Sequence, residues 1–232
     1  GVTLSSFDYE VSSRTSIDAD VQEPGAVLVQ GRLLADIANR LPQAPVELSR
    51  DDSGVVIRCG SASFHLPTMP IEEFPSLPVV EGASGSIAGD VFSEAISQVA
   101  VAASREDVAP VITGVNLSLQ ADSMSLVATD RYRVAVRTIE WQSSLTETET
   151  ALVPAKTLAE VGKSLGNSGE ITITLVKDDI RELIAFSAGN KTVTSLLIKG
   201  NFPAVERLFP AETPHYAVLT VSDIVDAVRR VQ

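Results

Sequence analysis

An antiparallel α+β architecture, built from one module used more than once, is the fold class this sequence predicts. Three observations carry it. Short runs in which apolar and polar residues alternate, separated by turn residues, are the signature of hairpin-connected strands with one buried face. Two stretches of one module, 91–104 and 155–165, instead place apolar residues at helical spacing. Four segments recur further along the chain in the same order.

Within the module each element follows from its residue types. Residues 91–104 read as a helix because Phe92, Ala95 or Ile96, Val99 and Ala103 share one face, with Asp90 as its N-cap. Strands are expected at 111–120, 124–128 and 132–141. A short strand at 151–153 leads into a second helix at 155–165, whose entry suits Pro154. Further strands at 171–176, 182–188 and 192–198 are separated by Lys177-Asp178-Asp179 and Gly189-Asn190. The sum is two helices and about seven strands per module.

The hairpin at 127–137 organises the rest. Leu126 to Ala128 approach a Thr129-Asp130 turn, and Val134 and Val136 then alternate with Ala135 and Arg137, which predicts one buried face. The tip presents Arg131, Tyr132 and Arg133. Aromatic and arginine side chains on a loop tip suit a partner contact, although a solvated turn has the same composition.

The repeats set the domain organisation. Residues 27–41 match 151–165, 124 positions later (151 minus 27). The Asp8 turn matches the Asp130 turn, Phe74-Pro75 matches Phe202-Pro203, and 86–100 match 218–232. Residues 1–81 are therefore expected to be the back part of one module, 85–210 a complete one, and 214–232 the opening of a third. Both ends of the chain are expected to be cuts, and Gly82-Ala83-Ser84-Gly85 and Pro210-Ala211-Glu212-Thr213-Pro214 are expected to be linkers.

Composition removes several classes of function. With 44% hydrophobic and 21% charged residues the chain is globular, and no apolar run is long enough for a membrane span. A single cysteine, Cys59, excludes an internal disulfide, and two separated histidines offer no metal-ligand spacing, so no metal, no cofactor and a cytoplasmic setting are expected. A net charge of −12 argues against a generally polyanion-coating surface. No phosphate loop and no hydrolase or thiol-redox motif occurs. Asp8 and Asp130 could be offered as a carboxylate pair for a hydrolase, but they read as equivalent turn residues. His65 reads as an exposed strand residue and Cys59 as a strand packing residue.

Charge placement on two helical segments is left. Arg32, Asp36 and Arg40 lie opposite Leu34, Ile37, Ala38 and Leu41, and Lys156, Glu160 and Lys163 lie opposite Leu158, Val161 and Leu165. Such stripes are either solvated faces laced by ion pairs or a repeated, weakly basic surface following phosphates without reading sequence.

Taken together, the motifs resemble the bacterial DNA polymerase III β subunit family, the replicative sliding clamps. Thr129-Asp130-Arg131-Tyr132-Arg133-Val134-Ala135 is similar to the family's Thr-Asp hairpin. Phe202-Pro203-Ala204-Val205-Glu206-Arg207-Leu208-Phe209-Pro210 is similar to its Phe-Pro ending, and Pro110-Val111-Ile112-Thr113-Gly114-Val115 to the first strand of its middle domain. The resemblance covers the whole chain. It implies tandem DNA-clamp domains, each with two helices packed on antiparallel sheets, in a chain without catalytic residues that dimerises head to tail into a ring around duplex DNA.

It also implies three sets of residues. Arg32, Arg40, Arg105, Lys156, Lys163, Arg229 and Arg230 would face the DNA. Ile112, Thr129, Arg131, Arg133, Val134, Pro203, Arg207 and Leu208 would form a groove for short peptide motifs of the polymerase III catalytic subunit, the clamp loader and repair polymerases. Phe64 and Leu66 would remain of the homodimer interface. Arg131-Tyr132 stand where the family often has Gly-His, and Val134 replaces Leu, which changes the expected pocket rim. A carboxylate-dependent hydrolase and a tandem-domain scaffold without DNA are the competing classes.

Overall fold

Two strands joined at Asp8 open the fold: β1 (Val2–Phe7) pairs antiparallel with β2 (Val11–Ile17). The computed structural model describes residues 1–106, 109–177, 182–209 and 212–231. It divides into two compact units, Gly1–Phe202 and Pro203–Gln232. The expected turn at Asp178-Asp179, the linker residues Pro210 and Ala211 and the final Gln232 lie outside the described residues.

In the first unit, β3 (Leu28–Val29) leads into α1 (Gly31–Ala38), followed by β4 (Val46–Asp51), β5 (Gly54–Cys59), β6 (Ala62–Leu66) and β7 (Thr68–Met69). The next module begins with β8 (Ala83–Ala88) and α2 (Gly89–Val99), continued by a 3-10 turn at Ala100–Ala102. It goes on through β9 (Gly114–Leu119), β10 (Ser123–Thr129), β11 (Val134–Glu140), β12 (Gln142–Ser143) and β13 (Glu149–Pro154). It closes with α3 (Ala155–Leu165), β14 (Glu170–Lys177), β15 (Glu182–Ala188) and β16 (Lys191–Leu196). Every described pairing is antiparallel.

The sheets join the modules. One seven-stranded sheet runs in the order β1-β2-β16-β15-β14-β8-β12, so the hairpin of the first module continues into the second through β2 and β16. The remaining sheets are β11-β10-β9-β13, β4-β5-β6 and the pair β3-β7. Helices α2 and α3 pack on each other and on these sheets around one core, which includes the fully buried Phe92, Leu126, Leu158 and Phe186. The rings of Phe92 and Phe186 stack with centroids 5.8 Å apart. Close helix contact is set by Gly166, where a Cβ would lie 2.7 Å from Ser93 Cβ, and the Ser93 hydroxyl donates to the Gly162 carbonyl at 3.0 Å. A smaller core of Ile37, Val55, Ile57 and Leu66 lies under α1.

Several expectations are corrected. Asp90 is not the N-cap; the helix starts at Gly89 with Ala88 as cap, and Asp90 sits in the first turn, its carboxylate accepting from the Val91 N–H at 2.8 Å. The expected linker Gly82-Ala83-Ser84-Gly85 is mostly strand β8, and Gly85 is glycine because a side chain there would strike the Trp141 ring at 2.5 Å. Residues 111–113 do not extend the strand at 114–119: Pro110–Ile112 is a 3-10 turn, closed by the Thr113 hydroxyl donating to the Pro110 carbonyl at 2.8 Å. The strand expected at 132–141 starts at Val134, leaving Tyr132 in the turn, and breaks at Trp141, whose indole N–H donates to the Gln120 carbonyl at 2.7 Å. The last strand ends at Leu196 instead of residue 198, and Arg40 lies past the end of α1.

The second unit holds a 3-10 turn at Glu206–Leu208 and helix α4 (Val221–Arg229). No residue of α4 is buried, and Val221, Ile224 and Val228 are exposed.

Candidate functional site

The turn between β10 and β11 is held by its own polar groups. The Asp130 carboxylate accepts the backbone N–H groups of Tyr132 and Arg133, each at 3.0 Å, and the Arg133 Nε donates to its second oxygen at 2.9 Å. The Thr129 hydroxyl donates to the Arg133 carbonyl at 2.8 Å and accepts from the Arg131 N–H at 3.2 Å. Desolvation pushes the Asp130 carboxyl up, but the two N–H donors and the Arg133 guanidinium outweigh it, so the group lies below the usual carboxylate value. A rigid loop results, with Arg131 and Arg133 turned outward and Tyr132 97% exposed.

Strand register brings further expected residues to the same sheet end. Thr129 pairs with Val134, and the β9–β10 register carries the chain before Gly114 to that end. Ile112, in the turn just before, is buried there. A side chain at Gly114 would strike Ile198 at 2.8 Å, so the segment leaving β16 passes over this end too. Of the groove residues, Ile112, Thr129, Arg131, Arg133 and Val134 thus share one edge of the first unit. Pro203, Arg207 and Leu208 belong to the second unit, where Leu208 is exposed and its N–H donates to the Val205 carbonyl at 2.9 Å.

The faces of the hairpin differ from the expectation. Ala135 and Ile139 point into the core, whereas Val136 is 45% exposed and Val134 half-buried. β11 is an edge strand, so the backbone groups on its outer side have no partner strand among the described residues.

The basic candidates are all on the surface. Arg32 projects from α1 and Lys156 from α3; Lys163 pairs with Glu160 at 2.7 Å. Arg105 is exposed in the loop after the 3-10 turn. In the second unit Arg229 lies 3.7 Å from Asp226, and Arg230 caps α4. Of the interface candidates, Leu66 is 1% exposed and packs under α1, so its side chain is spent on the core; Phe64 is half-buried against the same cluster.

The hydrolase pair is occupied elsewhere. Asp8 accepts the N–H groups of Glu10 and Val11 at 3.0 and 2.7 Å, as Asp130 does in its own turn. One cluster escaped the sequence reading: the Ser53 hydroxyl donates to Asp51 at 2.7 Å and lies 2.9 Å from His65 Nε2. It is no nucleophilic triad: Asp51 Oδ1 accepts from the Ser53 hydroxyl and lies 3.4 Å from Nε2, the same His65 nitrogen that Ser53 meets, so the carboxylate does not orient the imidazole from its other nitrogen. Asp51 is held at about 2, first by the Ser53 hydroxyl and then by the Ser53 N–H, and it closes the β4–β5 turn; the run Asp51-Asp52-Ser53-Gly54 was the available signal. Cys59 is buried, its thiol donating to the Pro42 carbonyl at 3.3 Å. Among the described residues no helix is long and apolar enough to cross a membrane, and no three His, Cys, Asp or Glu side chains cluster as a metal site.

Comparison with known families decides the lineage. Residues 1–78 match the model of the DNA polymerase III beta subunit N-terminal domain, and residues 86–204 match that of its central domain. The chain belongs to the DNA polymerase III beta subunit family. Within that family it is 44% identical over 232 residues to the beta sliding clamp of Streptomyces coelicolor, covering 99% of this chain and 62% of that protein. It is 42% identical to the beta sliding clamp of Micrococcus luteus, covering 99% of this chain and 74% of the relative. The crystal structure of the Bacillus subtilis DNA polymerase sliding clamp superposes with a TM-score of 0.86 at 26% identity, over 99% of this chain and 62% of that one. The chain thus spans 62% of the length of the Streptomyces beta sliding clamp.

Proposed function

We propose that this chain is part of a DNA sliding clamp: a non-catalytic, ring-forming processivity factor that encircles duplex DNA in the bacterial cytoplasm. In this reading residues 1–81 are the back part of a first clamp domain, 85–210 a complete second, and 214–232 the start of a third. Family membership supports it, and so does one feature of the fold. Modules join edge to edge through β2 of one and β16 of the next. The counterparts of these strands, β11 and β6, end their sheets among the described residues. A further copy of the β2–β16 joint on each of them extends the chain head to tail, and a heterologous joint gives a ring where its rotation closes. In the homodimer that follows, the β6 edge contributes through its backbone and Phe64, not through the buried Leu66.

Topological linkage needs little affinity per contact, so an acidic chain can hold DNA. Arg32, Arg40, Arg105, Lys156, Lys163, Arg229 and Arg230 would meet phosphates without reading sequence. Ile112, Thr129, Arg131, Arg133 and Val134, with Pro203, Arg207 and Leu208, would hold short motifs of the polymerase III catalytic subunit, the clamp loader and repair polymerases. An apolar floor beside a few fixed donors suits a peptide anchor.

Retention on DNA tests this. Full-length protein loaded on nicked circular DNA is expected to stay bound through a high-salt wash and to leave when a restriction enzyme opens the circle. Equal loss from both forms would refute encirclement.

A further inference from the structure

A cavity of about 610 Å³ opens in the first unit, where the β1–β2 turn, the Pro75–Pro78 stretch and the ends of β15 and β16 meet. Its walls are largely apolar. Phe7 and Tyr9, with their rings 5.5 Å apart, line it together with Pro75, Pro78, Leu183 and Leu196. The walls are pinned: the Leu196 N–H donates to the Glu10 carbonyl at 2.8 Å, and the Leu197 N–H donates to the Glu182 carbonyl at 3.1 Å. This volume falls in the range of preformed ligand sites, and the aromatic residues of a capped turn are part of its lining.

Position in the repeat says what kind of site it is. The Asp8 turn is the counterpart of the Asp130 turn, and Pro75 the counterpart of Pro203. The cavity therefore occupies, one module earlier, the place of the groove proposed above. The charges at the two places are opposite. Arg131 and Arg133 mark the later turn, whereas the earlier one has Tyr9 and Val11 at those positions, and the charged residues lining the cavity are, among the described residues, Glu10, Glu182 and Lys199.

We infer that this cavity is a second peptide-docking site, taking a short extended segment whose apolar anchor residue is flanked by lysine or arginine. The apolar walls accept the anchor, and the two carboxylates favour the flanking cation and reject acidic flanks. The inference does not depend on encirclement of DNA, and its readout is separate from DNA retention.

The test uses full-length protein and two fluorescein-labelled hexapeptides, each with two central leucines, flanked either by arginines or by aspartates. Fluorescence anisotropy is expected to detect the basic peptide. Glu10→Arg combined with Glu182→Arg, both at exposed positions, is expected to weaken it by about tenfold or more. Arg131→Ala combined with Arg133→Ala is expected to leave the basic peptide in place. Circular dichroism of both double variants checks folding, and a cross-linkable leucine analogue in the basic peptide is expected to label Tyr9. Failure of the basic peptide to bind, binding indifferent to the glutamate reversals, or loss with the arginine pair would overturn the proposal.

Discussion

Tyr9 and Arg131 hold the same backbone conformation, with φ of 73° and 79°, each directly after a turn aspartate. They are the only described non-glycine residues with positive φ. Left-handed backbone is unfavourable for a residue with a Cβ, and both turns keep it by giving the aspartate two N–H donors beyond that residue. Arg131→Val, β-branched at this φ, is expected to lower stability by about 1–2 kcal/mol, and Arg131→Gly to cost little or nothing. Urea unfolding of the two variants separates backbone strain from loss of the guanidinium, which both share. Equal loss would show that the side chain, not the φ angle, matters.

Acid acts on two turns. Asp130 lies below its usual 3.8, and Asp51 is held at about 2. A carboxyl whose folded pKa is depressed stabilises fully above the unfolded value and loses that contribution as pH falls through the folded value. Both turns are therefore expected to be unchanged from pH 7 to 5 and to weaken below about pH 4. Carboxyl NMR titration checks it: a midpoint for Asp51 at or above 3.8 would remove the effect.

Helix contact should discriminate between two glycines one turn apart. A Cβ on Gly166 would lie 2.5 Å from the Gly162 carbonyl oxygen and 2.7 Å from Ser93 Cβ, whereas one on Gly162 would make ordinary contact with Ile96 at 3.4 Å. Gly166→Ala is expected to cost about 1–3 kcal/mol through overpacking. Gly162→Ala should be neutral, or stabilising by up to about 1 kcal/mol through helix propensity. Thermal unfolding of the pair decides it, and equal melting temperatures would mean that α2 and α3 do not meet this closely.

Much of this was legible because local pattern and tertiary role coincide. The helix at 155–165 and the strand at 182–188 appear with the expected boundaries, since their apolar faces are set by one core. The burial of the hairpin exit was misread because alternation reveals two faces but not which one a neighbour covers. Ala135 faces the helices, and Val136 sits on an edge strand. Leu66 was open to two readings for a related reason: an apolar strand residue reads alike whether it packs inward, as Leu66 does under α1, or outward on a partner. The cavity at Tyr9 has no local sequence signal, because its walls come from segments almost two hundred residues apart, and the opposite charges of the two repeated turns show only once both are placed.

Lys163 separates the solvated-face reading of α3 from a DNA-facing one. Its side chain is 73% exposed and paired with a Glu160 that is 72% exposed, so the ion pair should contribute little to stability. Lys163→Ala is expected to change unfolding free energy by less than about 0.5 kcal/mol. If the ammonium meets a phosphate, its removal releases one counterion fewer on binding. The plot of log affinity against log salt concentration for full-length protein and duplex DNA should then flatten by about 0.9. Loss of Glu160 frees the lysine and removes a negative charge beside the phosphates, so Glu160→Gln should strengthen binding at low salt and leave high-salt binding unchanged. An unchanged slope in Lys163→Ala would assign the stripe to solvent and leave the basic lining to the remaining arginines and Lys156.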